Sequence, residues 1–280
     1  LLEGSGNTHL IVCPYHAWTY GLDGSFRGAP MTDTRPDFQG SDYCLTPVSV
    51  EDFCGLVFVN LDPNAEPLAS QAAGLAEDLR EKVPMIEDLQ VIDVQTFSTN
   101  GAMKANWKVV ADNYLECYHC PKAHPDFCDL LEIDAYEVDT FGIWSRQFGP
   151  KSRPHNTAYD FAADAPIQTA GFWYLWPTTT INYIPGEPIV QVLAILPQGL
   201  ESTTFAGHRL ALGPDPDAAR LDYLFTVLAG EDQALVESVQ RGLKSRSYDR
   251  GPFVVDPERS GTAEHAVHHF HRLVKQALGA

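Results

Sequence analysis

The sequence predicts an α+β fold in which strands come first and helices close the chain. The 280 residues are 44% hydrophobic and 20% charged, which allows one large or two modest domains with proper cores. Short strands and turns dominate the beginning, a long antiparallel sheet follows, and helices end the chain. Because strands and helices are segregated rather than alternating, an α+β fold is favoured over a βαβ order. We expect two domains, at residues 1–60 and 61–280.

The first domain consists of short β-rich runs separated by turns. Strands are predicted at His9–Cys13 and Ala17–Tyr20, and Gly21–Gly24 supplies the turn that follows them. The continuous apolar run Gly55–Asn60 predicts a strand that is buried on both faces.

In the second domain, helices flank a predicted sheet. Apolar spacing predicts a helix over Leu68–Val83, and another over Asn106–His119 is expected to end at Pro121. The predicted sheet strands are Gln90–Ser98, Ala135–Phe148, Gly171–Trp176, Thr180–Ile184, Ile189–Leu196 and Ser202–Leu212. The predicted closing helices are Pro216–Leu228, Glu231–Ser245 and Thr262–Leu278.

The composition excludes several classes of function. Acidic residues outnumber basic ones by 37 to 19, so we expect neither nucleic acid nor an anionic membrane as a partner. No apolar run in the sequence reaches the roughly 18 residues that a membrane helix needs. The six cysteines are scattered or lie beside histidines, which is unlike a disulfide-stapled secreted domain and favours a reducing cytoplasm.

The first chemical motif is Cys13-Pro14-Tyr15-His16. A cysteine and a histidine three residues apart on a tight turn can bind one metal, as in zinc and iron–sulfur sites. The surrounding run CPYHAWTYGLDGSFRGAP closely resembles the second half of the Rieske motif, in which a Cys and a His from each of two loops hold a [2Fe–2S] cluster. By this resemblance, Cys13 and His16 are cluster ligands.

The other half of that motif, a Cys-x-His sequence, is expected shortly upstream of Cys13, and residues 1–12 contain none. The Cys-x-His at Cys117–His119 comes far downstream and in the wrong order. The chain therefore supplies two of the four cluster ligands. Because it also begins without Met and runs directly into a motif, we expect a sequence that is truncated within its Rieske domain.

The second motif is Asn106-Trp107-Lys108 followed by Glu116-Cys117-Tyr118-His119-Cys120-Pro121-Lys122-Ala123-His124-Pro125. We expect His119 to end a helix and His124 to return from the loop beyond Pro121, so that the two imidazoles approach each other. One carboxylate would complete a two-His, one-carboxylate site for Fe(II) with open positions for O₂. A zinc knuckle that adds Cys117 and Cys120 to the two histidines is an equally good interpretation of the spacing alone.

Together, the two motifs resemble those of the Rieske non-haem iron oxygenases, in the same order along the chain. The resemblance covers essentially the whole sequence. It implies a partial Rieske β-domain followed by a catalytic domain of the helix-grip fold, with a mononuclear Fe(II) besides the [2Fe–2S] cluster. It also implies a homotrimer that receives electrons from an NAD(P)H-dependent flavin and iron–sulfur reductase.

The third iron ligand is sought in the segment Glu231–Leu243. Asp232 lies one turn before Val236 on an apolar stripe, and a carboxylate on a buried stripe must be paired or bound to a metal. Capping of the helix N-terminus is the alternative role for Glu231 or Asp232. In the family the matching Asp binds iron, so the resemblance assigns Asp232 to iron, Glu231 to capping, and Glu237 to a less favoured ligand.

Glu116 precedes His119 by three residues, so a hydrogen bond between them is available on one helix face. In the family, an acid here bridges the iron-binding His to a cluster His of a neighbouring subunit, which implies an electron path through His16 and Glu116. Most members that hydroxylate aromatic rings carry Asp at this position. The run Glu-Cys-Tyr-His-Cys is more similar to members that act on quaternary ammonium compounds such as carnitine, glycine betaine or stachydrine.

An aromatic-rich stretch, Gly171–Pro177 together with Tyr183, indicates the same substrate class. A methylated ammonium has no donor protons and is best recognised by aromatic faces. We expect Tyr174, Trp176 and Tyr183 to form a substrate cage, with the filling of a sheet core as the alternative.

The resemblance thus implies the terminal oxygenase of a Rieske-type monooxygenase, in which O₂-dependent hydroxylation beside nitrogen leads to C–N cleavage of a quaternary ammonium compound. An aromatic-ring hydroxylating dioxygenase or O-demethylase is the alternative within the family. A non-catalytic domain that binds zinc through Cys117 and Cys120 is the alternative of another class. An electron-transfer Rieske protein would not need the Glu116–His124 motif.

Overall fold

The computed structural model describes residues 2–4, 6–97, 102–213 and 217–279. The chain forms two compact units, Leu1–Leu68 and Ala69–Ala280, whereas the predicted domains divide after residue 60. All strand pairs are antiparallel, which confirms the α+β fold class. Within the described residues, no helix has both the length and the apolar character needed to cross a membrane.

The first unit contains two small sheets. β1 (Ile11–Val12), β2 (Thr19–Tyr20) and β3 (Phe26–Gly28) form one sheet, and β4 (Ser49–Phe53) pairs with β5 (Leu56–Asn60) in a separate ribbon. The expectation that the β5 strand is buried on both faces is wrong, because Val57 and Val59 are 72% and 66% exposed. A two-stranded ribbon leaves these side chains uncovered by any further strand of the described unit.

The second unit is built on a seven-stranded sheet with the order β6-β12-β11-β10-β9-β8-β7. Its strands are β6 (Gln90–Phe97), β7 (Glu137–Thr140), β8 (Trp144–Gly149), β9 (Ala170–Leu175), β10 (Thr179–Tyr183), β11 (Ile189–Gly199) and β12 (Ser202–Ala211). The predicted strand Ala135–Phe148 is in fact the β7–β8 hairpin, and Ser98 lies outside the described residues. From β7 to β12, each strand pairs with the next along the chain, and β6 is added at the β12 edge.

The helices that follow β5 along the chain keep the predicted order but differ in their ends. They are α1 (Leu68–Gln71), α2 (Leu75–Lys82), α3 (Trp107–Tyr114), α4 (Cys120–Ala123), α5 (Pro125–Leu130), α6 (Ala218–Asp222), α7 (Ala229–Gly242) and α8 (His265–Leu278). The helix predicted at Leu68–Val83 is interrupted at Gly74, whose φ of 86° is a conformation that glycine adopts without a Cβ clash. The π-helical segment Tyr223–Leu228 joins α6 directly to α7, and Pro216 lies outside the described residues.

A hydrophobic core joins α3, α7 and α8 to the sheet. Val110 of α3, Ile195 of β11, Val236 of α7 and Phe270 of α8 are all at most 5% exposed and belong to one cluster. This packing holds α3 over the sheet, so the residues that follow α3 are placed at the same face.

Asn106, the first residue of the Asn-Trp-Lys motif, fixes the start of α3. Its side-chain oxygen accepts a hydrogen bond from the Lys108 N–H at 3.0 Å, which is the geometry of an N-cap. Its own backbone N–H donates to Gln240 of α7 at 2.8 Å, and its amide donates to the Leu200 carbonyl at 2.7 Å. The motif residue therefore aligns α3 with the helix that carries Asp232.

Arg146 of β8 is the centre of a partly buried ion-pair network in the second unit. Its guanidinium pairs with Asp78 of α2 and, at 2.6 Å, with Asp139 of β7. Asp78 also accepts a hydrogen bond from the Trp173 indole at 2.7 Å. Because the Arg146 and Asp78 side chains are only 13% and 15% exposed, removing Arg146 would leave the Asp78 carboxylate poorly solvated and without its cation.

We therefore expect Arg146→Met to lower the free energy of unfolding by about 3–5 kcal/mol, the usual cost of breaking a buried pair. Lys244→Met removes an exposed pair with Glu201 and should cost at most about 1 kcal/mol. Urea denaturation followed by tryptophan fluorescence measures both variants. Equal losses in the two would show that the Arg146 network contributes no more than a surface pair.

Candidate metal centre

His119, His124 and Asp232 converge at one point, although they come from two separate segments of the chain. Their ligand atoms all lie within 4.8 Å of one another. The His124 Nε2 atom is 3.0 Å from the His119 Nε2 atom and 3.0 Å from the Asp232 Oδ1 atom. Within the described part of the chain, this is the group of His, Cys, Asp and Glu side chains that could hold a metal ion.

The local fold around the two histidines differs from the expected one. α3 ends at Tyr114, so the expectation that His119 ends this helix at Pro121 is wrong. His119 is instead the N-cap of the short helix α4, and Pro121 lies in the first turn of α4, where a missing N–H costs nothing. His124 separates α4 from α5, so the two ligands bracket a single turn of helix.

Glu116 orients His119. Its carboxylate lies 2.5 Å from the His119 Nδ1 atom, and it also accepts hydrogen bonds from the backbone N–H groups of Tyr118 and His119. Because α3 has already ended, the contact is made across a turn and not along one helix face. The side chain is 13% exposed.

Glu231 has the same role for His124, which the sequence analysis missed. Its carboxylate lies 2.7 Å from the His124 Nδ1 atom. The expected capping role is wrong because Glu231 lies inside a continuous helical segment. The cap at the start of that segment is Asp217, whose carboxylate accepts from the N–H groups of Ala219 and Arg220.

Both histidines therefore have Nδ1 occupied by a carboxylate and Nε2 directed at Asp232. Such outer partners fix the tautomer and the orientation of metal-binding imidazoles. Asn113 completes the arrangement by donating its amide to Asp232 at 2.7 Å. Two imidazole nitrogens and one carboxylate are the ligand set of the facial triad that binds Fe(II), so the donor chemistry fits that ion.

The electrostatics of the triad favour a bound cation. Burial alone would raise the pKa of Asp232, but its hydrogen bonds with His119 and His124 lower that pKa to about 2. Burial alone would lower the pKa of His119, but its hydrogen bonds with Asp232 and Glu116 raise that pKa to about 9. Asp232 and Glu116 thus favour a proton on the His119 imidazole, and a divalent metal bound there would displace that proton.

Cys117 and Cys120 are joined by a disulfide, contrary to the expectation of reduced cysteines. Both residues are buried, at 2% and 4% exposure. Since zinc binds cysteine as the thiolate, the zinc knuckle has no sulfur ligands in this arrangement.

Cys13 and His16 lie on a tight turn after β1. The Cys13 N–H donates to the Trp18 carbonyl at 2.8 Å, and the Ala17 N–H donates to the Cys13 carbonyl at 2.9 Å. The backbone N–H groups of Tyr15 and His16 lower the pKa of the Cys13 thiol, which favours the thiolate that a cluster ligand must be. This turn fits one half of a Rieske ligand set.

A cavity of about 560 Å³ adjoins the triad, within the range for a small-molecule site. Phe127, Tyr136 and Phe172 line it and form an aromatic trio, with the Phe127 centroid 5.8 Å from that of Phe172 and 6.2 Å from that of Tyr136. The π-helical segment before α7 contributes Leu224, Thr226 and Leu228 to the wall. Irregular helical turns of this kind are frequent at functional sites.

The expected cage of Tyr174, Trp176 and Tyr183 is not part of this cavity. Tyr174 and Trp176 pack on Phe270 of α8, with ring centroids 5.6 Å and 5.9 Å away. The Tyr183 hydroxyl lies 2.8 Å from that of Thr169. These rings fill cores around the sheet, which is the alternative that the sequence left open.

Two family patterns match the chain. Residues 86–280 match the family described as the ring hydroxylating alpha subunit, catalytic domain. Residues 1–45 match the Rieske [2Fe–2S] domain.

Among the relatives, the carnitine monooxygenase oxygenase subunit of Escherichia coli K12 is 37% identical over 286 residues, covering 99% of this chain and 74% of that protein. The corresponding subunit of Acinetobacter baumannii is 38% identical over 285 residues, with the same coverage. The chloroplastic choline monooxygenase of Spinacia oleracea is 28% identical over 295 residues, covering 98% of this chain and 61% of that protein.

Among solved structures, a quaternary ammonium Rieske monooxygenase matches with a TM-score of 0.86 at 36% identity, covering 99% of this chain and 74% of that one. The naphthalene 1,2-dioxygenase of a Rhodococcus species matches with a TM-score of 0.67 at 20% identity, covering 97% and 76%, and so shares the fold. With its triad and cavity, this chain belongs to the Rieske non-haem iron oxygenases, as an oxygenase (α) subunit and hence an oxidoreductase.

Proposed function

We propose that this chain is the oxygenase subunit of a monooxygenase that cleaves a C–N bond of a quaternary ammonium compound of the carnitine type. The observation that carries the proposal is an aromatic-lined cavity beside the His119–His124–Asp232 triad, in a chain 37% identical to carnitine monooxygenase oxygenase subunits. Fully substituted nitrogen carries no N–H group, so its recognition depends on aromatic faces and on charge.

The proposed reaction is hydroxylation of a carbon bonded to nitrogen. One oxygen atom of O₂ enters the C–H bond, and the other leaves as water after two electrons and two protons are supplied. The hydroxylated carbon then expels the amine: its C–N bond breaks, the carbon becomes an aldehyde, and the hydroxyl proton is released.

His119, His124 and Asp232 are the proposed iron ligands, and Cys13 and His16 provide half of the cluster ligands. Iron(II) at the triad would supply O₂ activation, and the [2Fe–2S] cluster would supply stored electrons. The protein itself holds the imidazoles in one tautomer through the carboxylates of Glu116 and Glu231. Leu224, Leu228 and Val236 line the cavity beside the triad, and these apolar side chains would limit the access of water to the reacting carbon.

Rieske oxygenases work with a reductase partner and a small-molecule substrate. For this chain we propose an NAD(P)H-dependent flavin and iron–sulfur reductase, a cytoplasmic location and a homotrimer. In the trimer, Glu116 links His119 of one subunit to His16 of its neighbour and so carries electrons between subunits. The hydrogen bond between Glu116 and His119 supports one side of that link.

The aromatic trio is the proposed contact surface for the trimethylammonium group. Phe127 follows the ligand His124 by three residues, and Phe172 and Tyr136 pack against Phe127. The carboxylates around the triad add attraction for a cation. An aromatic substrate would also pack against these three rings but would gain nothing from the carboxylates. Comparing the affinities of a charged and a neutral ligand therefore distinguishes the two candidate substrate classes.

We expect Asp232→Ala to abolish iron binding at the triad and turnover, because two neutral imidazoles alone hold Fe(II) weakly. The double variant Cys117→Ala/Cys120→Ala should keep its iron, because neither sulfur is a ligand. Metal analysis of the purified proteins distinguishes the outcomes. Tightly bound zinc that disappears in the cysteine variant would support the structural zinc domain instead.

Glu116→Gln should retain iron but lower turnover about 10- to 100-fold. Glutamine keeps the shape of the Glu116 side chain, but it removes the negative charge of the hydrogen-bond partner of His119, a proposed iron ligand. Glu132→Gln, at an exposed ion pair with Lys151, serves as the matched control. Reductase-coupled turnover and iron content are measured on both variants.

Subunit mixing tests the path between neighbours. His16→Ala removes a cluster ligand and His119→Ala removes an iron ligand, so each variant alone should be inactive. Co-expressed in one trimer, they should recover part of the activity if a cluster in one subunit serves iron in the next. No recovery from verified mixed trimers would contradict the path through the neighbouring subunit.

Phe172→Leu should weaken a trimethylammonium ligand about tenfold, which corresponds to about 1–2 kcal/mol for a desolvated ring facing a cation. Its neutral tert-butyl isostere should be affected less. Trp176→Phe lies outside the cavity and should leave this discrimination unchanged. If the parent protein binds both ligands equally, the charge is not recognised and an aromatic substrate is favoured.

A further inference from the structure

The cavity beside the triad opens to solvent next to the helix that carries Asp232. Most of the described residues that line the cavity are buried or half-buried, and the exposed ones are Thr226, Ala229 and Gly230. A cavity meets the solvent where its lining residues are exposed. Within the described part of the chain, these three residues therefore mark the opening.

The three exposed residues lie on one side of a continuous helical segment. Thr226 belongs to the π-helical segment, and Ala229 and Gly230 follow it by three and four positions at the start of α7. Residues at these spacings are neighbours on a helix surface. Because threonine and alanine have small side chains and glycine has none, this side of the segment leaves space for a molecule to pass.

The next residue on this side, Gln233, has a long side chain that is held along the helix. Its amide donates to the Glu237 carboxylate at 3.0 Å, and Glu237 does not line the cavity. Glu237 is itself fixed by the backbone N–H of Lys104, which donates to it at 3.1 Å. Gln233 is therefore drawn toward the next turn of α7 and leaves the opening clear.

The backbone at Gly230 does not require a glycine. Its φ lies outside the left-handed region, and a Cβ at this position would meet no atom within 4 Å. At Gly261, by contrast, a Cβ would lie 1.7 Å from the Tyr136 carbonyl oxygen, so packing excludes any other residue there. Glycine within a helix is less stable than alanine. The fold thus gains nothing from Gly230, whereas the cavity keeps its opening.

We propose that Thr226, Ala229 and Gly230 form the mouth of the cavity, and that Gly230 sets the size of the molecules that pass through it. Asp232, the proposed iron ligand, follows Gly230 by two residues, so a molecule that passes Gly230 arrives beside the triad. Gly230 is then a specificity-determining residue that acts on access to the site. The inference rests on the proposed function only for the identity of the substrate that enters.

Access is measured first without any substrate. Val110 of α3 lines the cavity and is 5% exposed, so a reagent reaches the introduced thiol of Val110→Cys through the cavity. Iodoacetamide and the larger N-ethylmaleimide are the probes, and peptide mass spectrometry separates the introduced thiol from the native ones. Reductant is left out so that the Cys117–Cys120 disulfide stays closed.

In this background, Gly230→Leu should slow labelling of the introduced thiol. Association rates among variants of one binding surface vary over roughly one to three decades, so we expect a loss of about tenfold or more. N-ethylmaleimide should be slowed more than iodoacetamide, and Gly230→Ala should have a smaller effect than Gly230→Leu. Because leucine favours helix, the midpoint of thermal unfolding of Gly230→Leu should equal or exceed that of the parent protein.

Gly242→Leu is the matched control. Gly242 lies on the same helix, is exposed, and has no atom within 4 Å of the position of a Cβ, but it does not line the cavity. This variant should leave the labelling rate unchanged.

Stopped-flow fluorescence then follows the binding of γ-butyrobetaine to the iron-loaded protein without the introduced thiol. A narrower mouth slows entry and exit by the same factor. Gly230→Leu should therefore lower the association and dissociation rate constants together, by about tenfold, with little change in affinity. A weaker affinity with an unchanged association rate would instead place Gly230 in the binding wall and overturn the mouth.

Unchanged labelling in Gly230→Leu, or equal slowing in Gly242→Leu, would also overturn the inference. Failure of the proposed function has a different signature. In that case γ-butyrobetaine does not bind the parent protein, and the labelling rates still decide whether Gly230 controls access to the cavity.

Discussion

The site depends on a pair of matching hydrogen bonds, in which the Glu116 carboxylate accepts from His119 and the Glu231 carboxylate accepts from His124. Each bond occupies the Nδ1 atom of one imidazole and turns the Nε2 atom toward Asp232. The two bonds differ in sequence separation: the first spans a single turn, and the second joins residues 107 positions apart. The distant one requires α7 to lie beside the α4–α5 turn, which the Asn106–Gln240 hydrogen bond and the core around Val236 maintain.

The triad could be predicted only with the help of the family resemblance, because residue type and spacing alone left a zinc knuckle and an iron site equally good and did not single out Asp232 among the acids of its segment. The end of α3 could not be predicted, because a proline is as compatible with the end of one helix as with the first turn of the next. Pro121 is at such a point: α3 ends earlier, at Tyr114, and Pro121 lies in the first turn of α4. The role of Glu231 was missed for a related reason: an acid before Asp232 looks like a cap unless the helix is known to begin earlier, at Asp217.

The substrate cage shows the limit of strand alternation. Phe172 and Tyr174 do share a face of β9, as the period of two predicts. Phe172 lines the cavity, whereas Tyr174 lies farther along the strand, beneath α3 and α8. On β10, Asn182 lines the cavity and its neighbour Tyr183 points to the other face. Periodicity assigns a face to each residue, but the helices that cover the sheet decide how much of that face remains open.

Charge acts on this protein at two ranges, over the whole surface and inside the cavity. The net charge of −18 is spread over the chain and could attract any cation, but physiological salt screens exposed charges beyond roughly 8 Å. Inside the cavity, fixed groups lie within a few ångströms of a bound molecule, where screening by salt is much weaker. There Glu116, Glu231 and Asp232 surround the two histidines, so a cation in the cavity meets concentrated negative charge at the triad.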